Sequence, residues 1–203
     1  MKAIRHYIGG AFRSSEDGRT LDDYEPATGG VWARVSAGSA VEIEAAVQAA
    51  REAFPGWSAT PAERRADWLR RLADAVEAEA DSLAALEARD NGKPVSVARD
   101  VDIPRAARNL RFFGGAVEHT HTEAHRTDDA ALNYTVRRPI GVAGCISPWN
   151  LPLYLFTWKI APALAVGCTV VGKPSEVTPA TAHRLSELAD AIGFPAGVLN
   201  VVH

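Results

Sequence analysis

The sequence predicts an α/β chain: an incomplete doubly wound parallel sheet, preceded by a helical region that carries small antiparallel strands. Three observations predict it. Gly141–Ile146, Thr169–Gly172 and Val198–Val202 are short, continuous apolar runs, as expected of strands buried on both faces of a parallel sheet. Helix-compatible stretches, Leu153–Val166 and Pro179–Ile192, separate them, so the series reads β-α-β-α-β. Upstream of Pro139, apolar residues recur at helical spacing over long stretches. The chain divides into residues 1–138 and a sheet-building part, residues 139–203. That part is half of a doubly wound sheet, so the architecture reads as unfinished.

The bulk numbers exclude several function classes. With 22 basic and 25 acidic residues among 203, the net charge is −3. This near-neutral balance offers no footprint for nucleic acid or an anionic membrane. The start, Met1 to His6, lacks the apolar core of a secretory signal. The longest apolar window, Leu151 to Cys168, is interrupted by Pro152, Lys159 and Pro162, which argues against a membrane span. Cys145 and Cys168 lie far apart in apolar runs and form no metal-ligand pattern, so a reducing, cytoplasmic location is expected.

The elements follow in order. Residues 4–13 read as a hairpin turning at Gly9-Gly10. A second turn at Pro26–Gly30 precedes a strand over Val31–Val35. Ser39 and Glu42 have capping-box spacing, and Ile43, Ala46, Val47, Ala50 and Phe54 share a helix face that Pro55-Gly56 should end. Thr60-Pro61-Ala62-Glu63 predicts another capped start. Trp68, Leu69, Leu72, Val76, Leu83 and Leu86 mark one long apolar stripe, closed by Asn91-Gly92. Helix is expected again from Val95 to Glu118, with a restart at Pro104. On it Arg105, Arg108 and Arg111 recur every three residues, which by itself describes a solvated basic face. Residues 119–130 read as a polar loop, and their three histidines lack a recognisable ligand pattern, so no metal is expected. Leu132–Arg138 alternates as a strand. In the sheet-building part, Thr178 and Pro179 should open the last helix and Gly193 should close it.

Ligands of open α/β sheets bind beyond the carboxyl ends of the strands. Two loops lie there, Ile146-Ser147-Pro148-Trp149-Asn150-Leu151-Pro152 and Lys173-Pro174-Ser175-Glu176. No G-x-G-x-x-G follows any strand, so the common dinucleotide fingerprint is absent. The motifs I-S-P-W-N-x-P and K-P-S-E-x-T-P, with the closing G-F-P-x-G-V-x-N-V-V, instead resemble the aldehyde dehydrogenase superfamily in order and spacing. Tyr7-Ile-Gly-Gly10 and Asn91-Gly-Lys-Pro94 match its N-terminal pattern, so the resemblance spans essentially the whole chain. It implies a Rossmann-like sheet of the aldehyde dehydrogenase fold and NAD as cofactor. Within the family, Asp102–Ala106, Leu132–Arg137 and Leu151–Lys159 resemble the 2-hydroxymuconic and 2-aminomuconic semialdehyde dehydrogenases of aromatic degradation.

The resemblance also implies roles. In such enzymes a cysteine thiolate attacks the aldehyde, and a glutamate later activates water to hydrolyse the thioester. Asn150 would hold the developing oxyanion; on residue type alone it could equally be an Asx turn or helix cap. Ile146, Ser147, Pro148 and Trp149 would line the cofactor cleft, and Lys173, Pro174, Ser175 and Glu176 would form its ribose site. A carboxylate at Glu176 disfavours a 2′-phosphate, hence NAD over NADP. Arg105 would clamp the carboxylate of a semialdehyde, with Tyr154 as tunnel wall. The family's nucleophile and base lie downstream of the matched region, and neither Cys145 nor Cys168 has a neighbour that would activate it. The isolated chain is therefore expected to be inactive without a C-terminal catalytic segment. A non-catalytic nucleotide-binding or interaction fragment is the alternative. The family resemblance also implies a homo-oligomer for a full-length protein.

Overall fold

The computed structural model describes residues 1–203. Five strands form the main sheet in the order β3 (Ala11–Arg13), β2 (His6–Ile8), β10 (Leu199–Val201), β9 (Thr169–Lys173), β8 (Val142–Ile146). Strands β8, β9 and β10 are mutually parallel, and β2 runs antiparallel to β10. The expected β-α-β-α-β unit is thus present. Its three strands lie side by side in reverse chain order, with β8 at the edge of the sheet.

Side-chain alternation along the strands builds two cores. Val171 and Val202 face α1 (Ala40–Ala59) with Ile8, Ala46 and Ala50. Val170 and Val201 face the other way, into the main core with Phe156, Ile160 and Leu164 of α6 (Pro152–Ala165) and Leu185 of α7 (Ala180–Ala191). Behind α6 stand α2 (Ala62–Ala78) and α5 (Ile103–Glu118), which supply Leu69, Leu72 and Leu110 to the same core. A smaller sheet, in the order β1 (Lys2–Ile4), β5 (Gly30–Ser36), β4 (Thr20–Glu25), packs beside α3 (Ala80–Asn91). The exposed ribbon β6 (Ala124–Thr127) and β7 (Ala131–Tyr134) stands apart.

Local chemistry explains most element ends. Gly9 and Gly10 both take positive φ, 62° and 81°, as a two-residue hairpin with right-handed strands requires. Ser39 and Glu42 form the expected reciprocal cap of α1. The expected restart at Pro104 is also found: a short turn α4 (Val95–Val97) and a π-turn Ala98–Asp102 lead into α5, with the proline in its first turn.

Several expectations fail for identifiable reasons. Helix α1 passes through Pro55-Gly56 to Ala59, because Trp57 is buried there and its indole N–H donates to Leu164 O at 3.1 Å. The capping box at Thr60 does not form; its hydroxyl donates backward to Gly56 O at 2.9 Å. The long stripe through Leu86 is two helices, broken at Glu79, whose carboxylate holds Arg184 of α7. Strand β7 stops at Tyr134, well short of Arg138, and its partner β6 occupies part of the expected loop. Ile4 lies in β1, which pairs in parallel with β5, so it belongs to the small sheet and not to the hairpin.

Candidate functional site

Two loops meet at the carboxyl ends of β8 and β9. The first, residues 147–151, joins β8 to α6, and Ser147 N–H donates to Lys173 O at 3.0 Å. The strand pairing Ile146↔Lys173 sets the two loops level. Ile146 is 70% exposed, and Trp149 and Asn150 are exposed beside it. Ser147 is buried, and its hydroxyl has no partner within the chain.

On the second loop, Lys173 Nζ donates to Glu176 Oε2 at 2.9 Å and to Pro174 O at 3.1 Å. The lysine hydrogen bond holds the Glu176 carboxyl below its ordinary value. An ammonium and an ionised carboxylate side by side offer a donor and an acceptor to a vicinal diol, the chemistry a ribose needs. The exposed faces of Ile146 and Trp149 add an apolar wall that suits a nucleotide. A cavity of about 620 Å³ opens between α1 and β8, lined by Ile43, Val47, Phe54 and Val142 and by two of the expected cofactor residues, Ile146 and Lys173.

Asn150 caps no helix: α6 starts at Pro152 behind Leu151 with no side-chain cap hydrogen bond. Thr178, expected to cap α7, donates instead to Trp149 O at 3.4 Å. The N-terminus of α7 is served from α3, where Asp90 Oδ2 accepts from Ala180 N–H at 2.9 Å.

The structure brings Arg105 and Tyr154 into contact. Arg105 Nη2 donates to the Tyr154 hydroxyl at 3.1 Å, and its guanidinium lies 5.3 Å from that ring's centroid. A second cavity of about 250 Å³ adjoins them, lined by Arg105, Arg108, Asn109, Phe112, Phe113 and Trp158. Asn109 fixes α5 against α6 by donating to Tyr154 O at 3.0 Å and Thr157 Oγ1 at 3.1 Å. The repeat of three arginines does not form one basic face, since Arg111 is engaged by Asp74 and Glu77.

The cysteines are poor nucleophiles. Both are buried, burial pushes the Cys145 thiol up, and Cys145 Sγ sits 3.6 Å from Lys159 O.

Sequence reasoning missed the residues that hold the first loop. Lys93, its side chain only 10% exposed, donates to Glu87 Oε1 at 3.2 Å, to Asp102 and to Asn150 O at 3.3 Å. Glu87 and Asp102 are fully buried, and burial drives the Glu87 carboxyl up to about 7 against the pull of Lys93. Glu87 Oε2 also accepts from Leu153 N–H at 3.2 Å, and Asn91 Nδ2 donates to Trp149 O at 2.9 Å. The signal was a glutamate inside an apolar helical stripe, followed by Asn91-Gly92-Lys93.

The sequence and the fold are similar to those of known proteins. The Aldehyde dehydrogenase family model matches residues 12–203. The 2-aminomuconic semialdehyde dehydrogenase of Danio rerio is 49% identical over 98% of this chain, and the 2-hydroxymuconic semialdehyde dehydrogenase of Pseudomonas sp. (strain CF600) is 51% identical over all of it. The chain spans about two-fifths of their length, 41% and 43%. The crystal structure of PnpE in complex with nicotinamide adenine dinucleotide is 42% identical, with a TM-score of 0.95, over all of this chain and 41% of its own. With the family model and these relatives agreeing along nearly its whole length, the chain belongs to the aldehyde dehydrogenase family.

Proposed function

We propose that this chain is the cofactor- and carbonyl-binding part of an NAD-dependent aldehyde dehydrogenase that oxidises a carboxylated semialdehyde to the acid. The observation that carries this reading is the juxtaposition at the ends of β8 and β9. Asn150, free of any capping role, stands on one loop, and the Lys173–Glu176 pair stands on the next.

Each residue then has a task. The Asn150 amide donates to the aldehyde oxygen as negative charge builds there, a contribution of roughly 3 kcal/mol for a well-placed donor. Glu176 accepts from the ribose hydroxyls and Lys173 donates to them. Ile146, Ser147, Pro148 and Trp149 form the wall beside them, with Pro174 and Ser175 shaping the turn that carries Glu176. NAD, when bound, supplies the two-electron acceptor. Arg105, turned by Tyr154, takes the substrate carboxylate with a planar guanidinium. The attacking thiolate and the general base come from a segment outside these residues, so the isolated chain does not turn over. In the whole enzyme the exposed β6–β7 ribbon, with Leu132 and Tyr134 facing outward, joins subunits of a homo-oligomer.

The test is a chimera in which residues 1–203 replace the matching part of the Pseudomonas sp. (strain CF600) relative. It should oxidise a carboxylated semialdehyde with NAD. Arg105→Ala should raise KM for that substrate roughly tenfold, the loss of one charge-assisted pair, and spare a neutral aldehyde. Equal effects on both substrates would remove Arg105 from the reading. A second reading, a non-catalytic nucleotide-binding fragment, draws on the open edge of β8. NAD binding by the 203-residue chain combined with an inactive chimera would select it. Sustained NADH formation by the chain alone would refute the division of labour.

A further inference from the structure

We propose that Asn91 and Lys93, on either side of Gly92, are positioning residues that aim the Asn150 amide by pinning both peptide planes next to it. The inference rests on the oxyanion role proposed for Asn150 and adds the device that would make that role possible.

A side chain leaves the backbone in a direction fixed by the two peptide planes that meet at its Cα. Each plane is rigid, so only the two torsions between them are free. At Asn150 both planes are tied to other elements. The plane before it carries Trp149 O, which accepts from Asn91 Nδ2 at 2.9 Å and from Thr178 Oγ1 at 3.4 Å. The plane after it carries Asn150 O, which accepts from Lys93 Nζ at 3.3 Å. With both carbonyls held, the Cα–Cβ direction of Asn150 is set although the residue lies on an exposed turn. Three residues further on, Leu153 N–H donates to Glu87, so the start of α6 is tied to the same group.

The clamp is built at the end of α3. Gly92 closes that helix in the left-handed conformation, φ 83°, and its N–H donates to Ala88 O at 2.8 Å. A Cβ there would lie 2.9 Å from Pro26 Cβ. This turn lets both Asn91 and Lys93 reach the same loop. The Lys93 ammonium is oriented in turn: Glu87 and Asp102 take two of its protons in a buried setting, and the third goes to Asn150 O. A lysine serving only charge balance would have no need of the third contact. An ammonium held by two buried carboxylates has little freedom to leave it.

Lys93→Met alone leaves two buried carboxylates facing each other without a counter-charge. The test therefore uses Lys93→Met with Glu87→Gln and Asp102→Asn, which removes all three charges and keeps an acceptor for Leu153 N–H. In the 203-residue chain, amide exchange in β9 should stay as in the wild type. The Asn150 side-chain amide, followed by NMR relaxation, should pass from rigid to mobile, with its order parameter falling below ~0.6. In the chimera described above, kcat should fall at least tenfold, with KM for NAD unchanged. Asn91→Ala should give the same pattern more weakly, because Thr178 still holds Trp149 O. A triple variant that keeps both a rigid Asn150 amide and wild-type kcat would overturn the clamp. If Asn150→Ala itself leaves kcat unchanged, the oxyanion reading falls, and the relaxation measurement alone then decides whether the clamp exists.

Discussion

Gly172→Ala tests how closely α6 must sit on the sheet to keep the two site loops level. Gly172 lies in β9, paired with Cys145 of β8 on one side and Val201 of β10 on the other. A Cβ at this position would fall 2.6 Å from Phe156 Cζ and 2.7 Å from Cε2. Carbon atoms pack comfortably at about 3.5–4.0 Å, so the overlap is roughly 1 Å. Phe156 has no way to relieve it, because the ring is fully buried, 0% exposed, in the main core. Overpacking of this kind costs about 1–3 kcal/mol. For a chain of this size each kcal/mol lowers Tm by about 2–4 °C, so a fall of roughly 4–8 °C is expected at the middle of the range. Thermal unfolding followed by circular dichroism at the helix minimum gives the number. Phe156→Leu on the Gly172→Ala background should recover at least ~1 kcal/mol relative to the sum of the single effects, since the two sites are in contact. An unshifted Tm for Gly172→Ala, or strict additivity in the double variant, would refute the claim that this contact sets the seat of α6.

Three further outcomes follow from the same geometry. Glu176→Gln removes one negative charge from the proposed ribose site; a unit-charge repulsion at about 4 Å is worth ~1 kcal/mol in water and more near a protein surface. The NADP-to-NAD affinity ratio measured by calorimetry on the chain should therefore rise at least roughly fivefold, and an unchanged ratio would remove Glu176 from cofactor selection. His203 is buried with neither ring nitrogen partnered, and burial holds its pKa well below the ordinary histidine value. The unfolded chain takes up that proton more readily, so this contribution to stability is intact above the ordinary histidine pKa and is lost as pH falls below it. His203→Leu should flatten the acid side of the Tm-versus-pH profile, and parallel profiles for the two proteins would count against the assignment. Ser39→Ala deletes the acceptor for Val41 N–H at 3.1 Å and should cost about 1 kcal/mol in chemical denaturation without changing the m-value.

Much of the fold was legible because its signals are local. The Gly9-Gly10 hairpin, the Ser39–Glu42 cap, the Gly92 stop and the apolar runs of β8, β9 and β10 each depend on residues within a few positions of one another. The misreadings share the opposite cause. Pro55 ought to end α1, but the burial of Trp57 against α6, more than a hundred residues away in sequence, carries the helix one turn further. Thr178 has the residue type and position of an N-cap. It serves Trp149 instead, and Asp90 of α3 does the capping. Strand β4 was not expected, since Thr20–Glu25 is polar and its pairing with β5 is the only thing that makes it a strand.

The candidate site divides along the same line. The residues proposed to touch ligand, Asn150, Lys173, Glu176 and Arg105, stand in compact motifs, and a motif can be read from the chain alone. The residues that hold them cannot be read in that way. Glu87, Asn91, Lys93 and Asp102 lie about 50 to 65 positions before the loop they support, on α3, the turn that follows it and the π-turn, and acquire meaning only when α6 is packed between α5 and the sheet. A buried lysine with two buried carboxylates is costly unless every partner is in place, and removing one member leaves an uncompensated charge. Such a cluster is a poor way to gain stability alone, because well-packed apolar side chains of the same volume serve at least as well. Its presence beneath an exposed turn makes sense if what it supplies is direction. The ammonium has three protons, two go to the carboxylates, and the third reaches Asn150 O, one of the two carbonyls whose planes orient Asn150.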